Sequence, residues 1–509
     1  MAQKNVVAEI VERRKKDIAE KGFTFGFDIP EKRTRPVNPF MQEKGVILEV
    51  KRASPSKGDI APELDSAETA KKYAENGTSA ISCLTEENYF KGSLQDLINV
   101  CNAVPDVAVL RKDFLIDEEE IDIAYRCGAD AVLLISGILS LEKMFSMTAR
   151  CKSLGIKALI EVRTVEDAEK VLEVKKQYAD TIVCGVNSRN LKDFTIDLLV
   201  PAMLKEKLGG KVIFESGITT AQAASKIGSM GFTGILLGEF AARNPEKAGE
   251  FVKAFKETDE NSCGKKLISL AEKIHNHRGQ PSMENRLEKG GQTPSESTQK
   301  IKGDRPLVQK TKGDRPLVKI CGLTRCEDVL LADSLGADFV GFVFATEFSR
   351  NVYGNRFEEI KKVLPKVKAL KVAVITRPET DEAHFAAQLV KEGVLDFIQI
   401  HGVDYDSVPE YLGSVPHYFA VTEKMGDLKE ITEKLTSFGE PRYLQDSREG
   451  NYGDSEHPWL AGGLSPLNIS EFVKKYNPEL VDVSSGIEDD IVGVKNAEKM
   501  KAFFANIEK

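Results

Sequence analysis

Glu49-Val50-Lys51-Arg52-Ala53-Ser54-Pro55-Ser56 and Lys319-Ile320-Cys321-Gly322-Leu323-Thr324-Arg325 are the stretches on which the reading of this chain turns. Each closes a short apolar run, residues 46–48 in the first case and 317–320 in the second. Each then sets charged or nucleophilic side chains where a buried strand would end, which is where an α/β barrel keeps its chemistry. Glu49 and Lys51 are two residues apart, so on a strand they share one face.

Working outward from the first stretch, apolar runs recur near 46–50, 79–84, 107–111, 131–135, 157–161, 182–186, 212–215 and 234–238. Amphipathic segments separate them, the pattern of repeated βα units and a parallel sheet. Thr164 and Asp167 spell an acidic capping box, and the acidic run after Asp117 suits the positive end of a helix. An amphipathic segment at 5–21 precedes the first strand. A second series starts at 317 and recurs near 339–344, 370–375, 396–400, 417–422, 442–445, 459–461 and 480–484. The expected fold is therefore α/β, two (β/α)8 TIM barrels joined by a flexible linker. The boundaries are 1–257 for the first barrel, 258–314 for the linker and 315–509 for the second. The linker region is polar and repeats Lys-Gly-Asp-Arg-Pro-Leu-Val at 302–308 and 312–318. Only Leu267, Leu270, Ala271 and Ile274 in it suggest a helical turn. Gly128-Ala129-Asp130 and Gly336-Ala337-Asp338 echo each other at matching helix-to-strand junctions.

The totals exclude several classes. Lys and Arg number 71 against 79 Asp and Glu, a net charge of −8 with both signs dispersed, so no nucleic-acid footprint is expected. No apolar stretch approaches the roughly 18–20 residues of a membrane span, and the start has no signal-peptide core. The eight cysteines lack CxxC spacing and the six histidines form no ligand cluster. Reduced thiols, a cytoplasmic location, no metal and no cofactor are the expectations.

Residues 5–257 resemble indole-3-glycerol-phosphate synthase at every strand end: the Glu49 stretch, Leu110-Arg111-Lys112-Asp113-Phe114, Leu159-Ile160-Glu161-Val162, Gly185-Val186-Asn187-Ser188-Arg189, Phe214-Glu215-Ser216-Gly217 and Leu237-Gly238-Glu239. The resemblance implies an enzyme that closes the indole ring of 1-(2-carboxyphenylamino)-1-deoxyribulose 5-phosphate with loss of CO2 and water. It makes Lys112 the main general acid, assigns Glu161 and Lys51 to proton transfer in dehydration, and has Glu49 orient Lys51. Asn187, Arg189, Glu215 and Ser216 would position the substrate. Its phosphate would rest on Ser54 and near Gly217, Gly238 and Glu239. The run Thr85–Ser93 also matches the family and is expected as a loop over the aromatic ring.

Residues 315–509 resemble phosphoribosylanthranilate isomerase, which turns an aminoaldose into an aminoketose. By that resemblance Cys321 is the base and Asp446, in Tyr443-Leu444-Gln445-Asp446-Ser447, the acid. Lys319 and a following helix are expected to make the thiol partly thiolate, with Thr324 and Glu327 as the helix's capping box. Arg350 would bind the anthranilate carboxylate. Gln399 and His401 match a further family string, and the phosphate would sit at Gly462-Gly463 and Ser485-Gly486. The chain departs from this family after Asp446. Only residues 447–458 precede the next strand, too few for two loops and a three-turn helix, so the sixth helix is expected to be missing. Two readings stay open: a two-step enzyme of tryptophan biosynthesis, or an active synthase with an impaired or purely phosphosugar-binding second barrel. The partners expected are small phosphosugar-anthranilate molecules, with no nucleic acid and no membrane, and the chain is expected to be a monomer.

Overall fold

The computed structural model describes residues 6–190, 195–277, 315–450, 452–453 and 458–507. It holds two closed barrels of eight parallel strands, and each compact unit of the chain contains one of them. The strands of the first are Gly45–Val50, Ala80–Leu84, Ala108–Lys112, Ala131–Ile135, Lys157–Val162, Ile182–Asn187, Val212–Glu215 and Gly234–Leu237. Those of the second are Leu317–Ile320, Phe339–Val343, Leu370–Ile375, Phe397–His401, His417–Thr422, Tyr443–Asp446, Trp459–Ala461 and Leu480–Val483. Neighbours in sequence pair in parallel around each ring, and the eighth strand closes on the first.

Strand periodicity explains where the charges go. Ile47, Leu110, Leu159 and Ile213 are buried in a common apolar cluster inside the first barrel. Two residues further along their strands, on the same face, stand Glu49, Lys112, Glu161 and Glu215. In the second barrel Phe339, Tyr418 and Trp459 make the floor, with ring centroids 5.8 Å and 5.2 Å from the indole.

The expected details mostly appear, with informative exceptions. The leading helix is Val6–Lys21, and the Thr164–Asp167 capping box is complete. The echoed Gly-Ala-Asp junctions do one job in both barrels. Asp130 accepts the Val109 amide at 2.9 Å and Asp338 the Val318 amide at 3.0 Å, each at the start of the preceding strand. By contrast, the acidic run after Asp117 is not simply a dipole partner. Glu120 is fully buried and takes Arg14 of the leading helix at 2.8 Å. Arg14 also reaches Asp113 at 3.0 Å, and Arg111 donates to the Glu120 carbonyl at 2.8 Å. Arg111 and Asp113 flank Lys112, so this network fixes the strand end that carries it. Removing one member of a buried ion network strands the others. Arg14→Met is expected to destabilise the first barrel by about 3–5 kcal/mol, read as an earlier denaturant midpoint for the far-UV transition.

The segment expected as a linker from residue 258 opens with the sixteen-residue helix Ser262–His277, in which Leu267, Leu270, Ala271 and Ile274 are buried. Residues 278–314, which include the first heptapeptide and the first three residues of the second, lie outside the described residues. Between Asp446 and Trp459 the described residues contain no helix, as the short connection implied, yet the sixth and seventh strands pair directly.

Candidate active sites

In the first barrel one buried carboxylate holds two ammonium groups. Glu49 is 2 % exposed, its Oε1 lies 2.8 Å from Lys51 Nζ and its Oε2 3.1 Å from Lys112 Nζ. Lys112 also faces Glu215 Oε2 at 3.5 Å. Burial alone would raise the Glu49 carboxyl, but the two lysines outweigh it and hold the group down at about 2. Burial would strip a proton from Lys112, and the three surrounding carboxylates reverse that, so its ammonium persists well into the alkaline range.

Glu161 and Glu215 behave differently. Glu161 is raised, burial being the main cause, with the Lys112 charge and a hydrogen bond from Asn187 pulling the other way. Burial pushes Glu215 up to about 8, with Glu161 and Glu49 adding to the effect and Lys112 opposing it. Near neutrality this cluster therefore keeps a proton on a carboxyl beside two lysines, a combination suited to proton transfer.

Two glycines reserve the space for these groups. A methyl at Gly238 would lie 2.5 Å from Lys51 Nζ and 2.6 Å from Glu49 Oε1, and one at Gly185 would lie 2.0 Å from Glu215 Oε1. Around the same mouth, Ser54 sits in a short hairpin after the first strand, and its Oγ lies 3.5 Å from Ser56 Oγ. Ser216 and Gly217 are both left-handed, turning the chain sharply after the seventh strand. Gly238 and Glu239 open a short helix after the eighth. Since the seventh, eighth and first strands are neighbours, these backbone turns share one sector of the rim. Asn187 accepts the Arg189 amide at 2.9 Å, and Arg189 is attracted to Glu239. The Thr85–Ser93 run is pinned at its base, since Glu86 accepts the amides of Asn88, Tyr89 and Phe90 at 3.0, 2.7 and 3.0 Å.

The raised Glu215 carboxyl has a consequence for stability. In the unfolded chain a glutamate titrates near about 4.3, so between there and about 8 the folded state holds the extra proton. Its contribution to stability falls as pH rises through that window and is level above it. Glu215→Gln should gain on the wild type from pH 5 to 8.5 in thermal unfolding, and a constant difference between the two would refute this.

In the second barrel a buried lysine organises the site. Lys319 Nζ lies 3.3 Å from Cys321 Sγ, 2.7 Å from Gln399 Oε1 and 2.5 Å from Asp482 Oδ2. Tyr418 donates to the same Gln399 oxygen at 3.0 Å. Burial of Cys321 outweighs the neighbouring ammonium, and its pKa is raised. This direction runs against the expected partial thiolate. Nor does Thr324 cap the helix after it. The helix begins at Cys326 with no side-chain cap, and Thr324 Oγ1 instead donates to the Gly493 carbonyl at 2.6 Å. His401 Nε2 stands 3.8 Å from Asp446 Oδ2, linking the fourth and sixth strand ends. Arg350 is doubly bound to Glu488, at 2.8 Å through Nε and 2.7 Å through Nη2. A substrate carboxylate there would have to share or displace Glu488. Gly462-Gly463 and Ser485-Gly486 follow the adjacent seventh and eighth strands.

Each barrel is matched by its own family model. The family model for indole-3-glycerol phosphate synthase matches residues 7–255, and that for N-(5'-phosphoribosyl)anthranilate isomerase matches residues 318–506. An indole-3-glycerol phosphate synthase of Exiguobacterium sibiricum is 37% identical over 258 residues, 49% of this chain and 96% of the relative. The chain belongs to the indole-3-glycerol phosphate synthase family through its first barrel, and its second barrel matches the isomerase model. A multifunctional tryptophan biosynthesis protein of Schizosaccharomyces pombe is 30% identical over 512 residues, covering 90% of this chain and 58% of the relative. The chain thus spans about three-fifths of the length of the multifunctional relatives it matches. A solved phosphoribosyl anthranilate isomerase from Thermus thermophilus is 29% identical, covers 38% of this chain and 98% of its own, and has a TM-score of 0.30.

In the synthase barrel, sequence reasoning found every member of the ion cluster but missed the Arg14–Asp113–Glu120 support beneath it. In the isomerase barrel it missed Asp482, Tyr418 and Glu488. Asp482 had a signal: an acid inside the apolar run Leu480-Val481-Asp482-Val483, in register with Lys319. Glu488 had none, because it lies beyond the last strand and meets Arg350 only in space.

Proposed function

We propose that this chain catalyses two successive steps of tryptophan biosynthesis. The second barrel converts N-(5'-phosphoribosyl)anthranilate to 1-(2-carboxyphenylamino)-1-deoxyribulose 5-phosphate, and the first closes that ketose to indole-3-glycerol phosphate. The observation that carries the reading is the pairing of Glu49 with both Lys51 and Lys112 at one barrel mouth.

In ring closure Lys112 donates its proton to the ketone oxygen as the ring carbon bearing the carboxylate attacks the carbonyl carbon. Loss of CO2 returns the electron pair to the ring. Lys51 and Glu161 then remove a proton and protonate the departing hydroxyl, which leaves as water, while Glu49 orients Lys51. Asn187, Arg189, Glu215 and Ser216 position the substrate, and Ser54, Gly217, Gly238 and Glu239 line the phosphate sector. In the isomerase Asp446 protonates the furanose oxygen as its bond to C1 breaks and a C1–N double bond forms. Cys321 takes the C2 proton, and the resulting enolamine relaxes to the ketone. Lys319, 3.3 Å from the sulfur, opposes the cost of the thiolate as it forms, without cancelling the burial that raises the resting thiol. Arg350 meets the anthranilate carboxylate, with Gln399 and His401 beside it. Gly462, Gly463, Ser485 and Gly486 hold the phosphate.

Neither mechanism asks for a metal or cofactor, and among the described residues no group of His, Cys, Asp and Glu is arranged to hold a metal ion. No described helix is long and apolar enough to cross a membrane. We place the protein in the cytoplasm as a monomer, which light scattering tests. The decisive experiment supplies phosphoribosylanthranilate and identifies products over time. Indole-3-glycerol phosphate supports both sites, accumulated ketose rejects the synthase assignment, and unconsumed substrate rejects the isomerase assignment. The second reading, an impaired isomerase barrel, is favoured specifically by the short connection of residues 447–458 between the sixth and seventh strands.

A further inference from the structure

Between Asp446 and Trp459 the described residues contain no helix, yet they are held by specific contacts. Tyr452, in the middle of the short connection, sets its ring edge-on to Phe472 and Tyr476 of helix Ile469–Tyr476, with centroids 5.7 and 5.1 Å apart. Its hydroxyl donates to the Ala461 carbonyl at 2.7 Å, with the Ser447 carbonyl at 3.2 Å from the same oxygen. Tyr476 reaches back to the Gly450 carbonyl at 3.2 Å. The next residue, Gly453, donates its amide to Gln445 Oε1 at 2.7 Å, and Gln445 is 1 % exposed. Gln445 lies on the face of its strand opposite Asp446, where a packing helix would normally cover it.

The residue whose carbonyl Tyr452 grips is the register partner of Asp446. Asp446 pairs with Ala461 across the sixth and seventh strands, and Ser447 donates its amide to the same Ala461 carbonyl at 3.2 Å. Ala461 is followed by Gly462, where a methyl would lie 2.0 Å from the Ser447 carbonyl oxygen. One phenol therefore ties together the residue after the acid and the residue before the Gly462-Gly463 turn.

We infer that Tyr452 is a positioning residue for the isomerase, anchoring a connection too short for a three-turn helix with its two loops and fixing Asp446 relative to the Gly462-Gly463 turn. The inference rests on the isomerase reading of Asp446. Tyr452→Phe keeps the ring and removes only the donor, so fold and chemistry can be separated. In the full chain, Tyr452→Phe should keep the wild-type thermal midpoint and the wild-type rate of ring closure on supplied ketose. Its isomerase kcat should fall about tenfold, the effect of one well-placed hydrogen bond at a reacting centre.

A double-mutant cycle separates positioning from general loosening. If Tyr452 acts through Asp446, then Tyr452→Phe costs less than twofold in an Asp446→Asn background. An undiminished isomerase kcat in Tyr452→Phe overturns the inference, as does a tenfold loss that persists without Asp446. A wild-type chain that leaves phosphoribosylanthranilate unconsumed removes the isomerase reading and this inference together. An active wild type with an equally active Tyr452→Phe removes the inference alone.

Discussion

Lys112→Met loses indole-3-glycerol phosphate formation, by on the order of 10²–10⁴-fold in kcat, while the same protein still converts phosphoribosylanthranilate to the ketose. Lys112 is the group placed between Glu49 at 3.1 Å and Glu215 at 3.5 Å, and it is the cation both buried acids share. Methionine keeps an unbranched chain of similar reach, so packing is nearly conserved and the charge is what goes. Glu49 retains Lys51 at 2.8 Å, which protects the fold from a bare buried carboxylate. Glu215 has no such second partner and should stay protonated to a higher pH than in the wild type. The check is end-point chromatography on phosphoribosylanthranilate: the ketose accumulates and the indole product does not. A variant within tenfold of wild type in ring closure would remove Lys112 from the acid role.

Cys321→Ala gives the mirror result. Substrate disappearance should slow by on the order of 10²–10⁴-fold, while ketose supplied directly is closed at the wild-type rate. The thiol sits 3.3 Å from Lys319, whose strongest contact is to Asp482 at 2.5 Å, so the lysine keeps its partner when the sulfur is gone. Cys321→Ser sharpens the test. A hydroxyl fits the same space, but Lys319 cannot make it a comparable base near neutral pH. Inactivity of both variants with unchanged thermal midpoints assigns the base to the sulfur. Turnover by Cys321→Ser near the wild-type rate would place the base elsewhere, with Asp482 the next group to vary.

The sixteen barrel strands were legible because parallel strands buried on both faces read as apolar runs, and each of them falls within a residue of its run. Lys112 and Glu161 were legible for a related reason: a charge closing such a run has nowhere to go but the barrel mouth. What stayed hidden depends on pairs distant in sequence. Glu120 looks like a helix-start acid until Arg14, 106 residues earlier, is seen to occupy it. Cys321 was expected to be partly ionised because Lys319 is two residues away, but burial of the sulfur is a property of the whole ring and wins. Thr324 matched a capping motif, yet its hydroxyl is directed at the Gly493 carbonyl, to which it donates, and the helix begins at Cys326 without a side-chain cap. The short connection after Asp446 shows the reverse. Its length alone predicted that the described residues there would hold no helix, but nothing in its composition said that Tyr452 would anchor them.

That short connection also bears on how the second barrel assembles. A parallel pair ordinarily waits for a long crossover to form, because the loop must be closed before the strands gain anything from meeting. Here strands Tyr443–Asp446 and Trp459–Ala461 are separated by residues 447–458 alone. Halving a crossover lowers its closure entropy by only about 0.6 kcal/mol, but a connection this short also leaves little room for a helix that would have to nucleate first. The seam that looks most depleted in the finished barrel is thus the most local of its parallel pairings, and a natural place for the ring to begin folding.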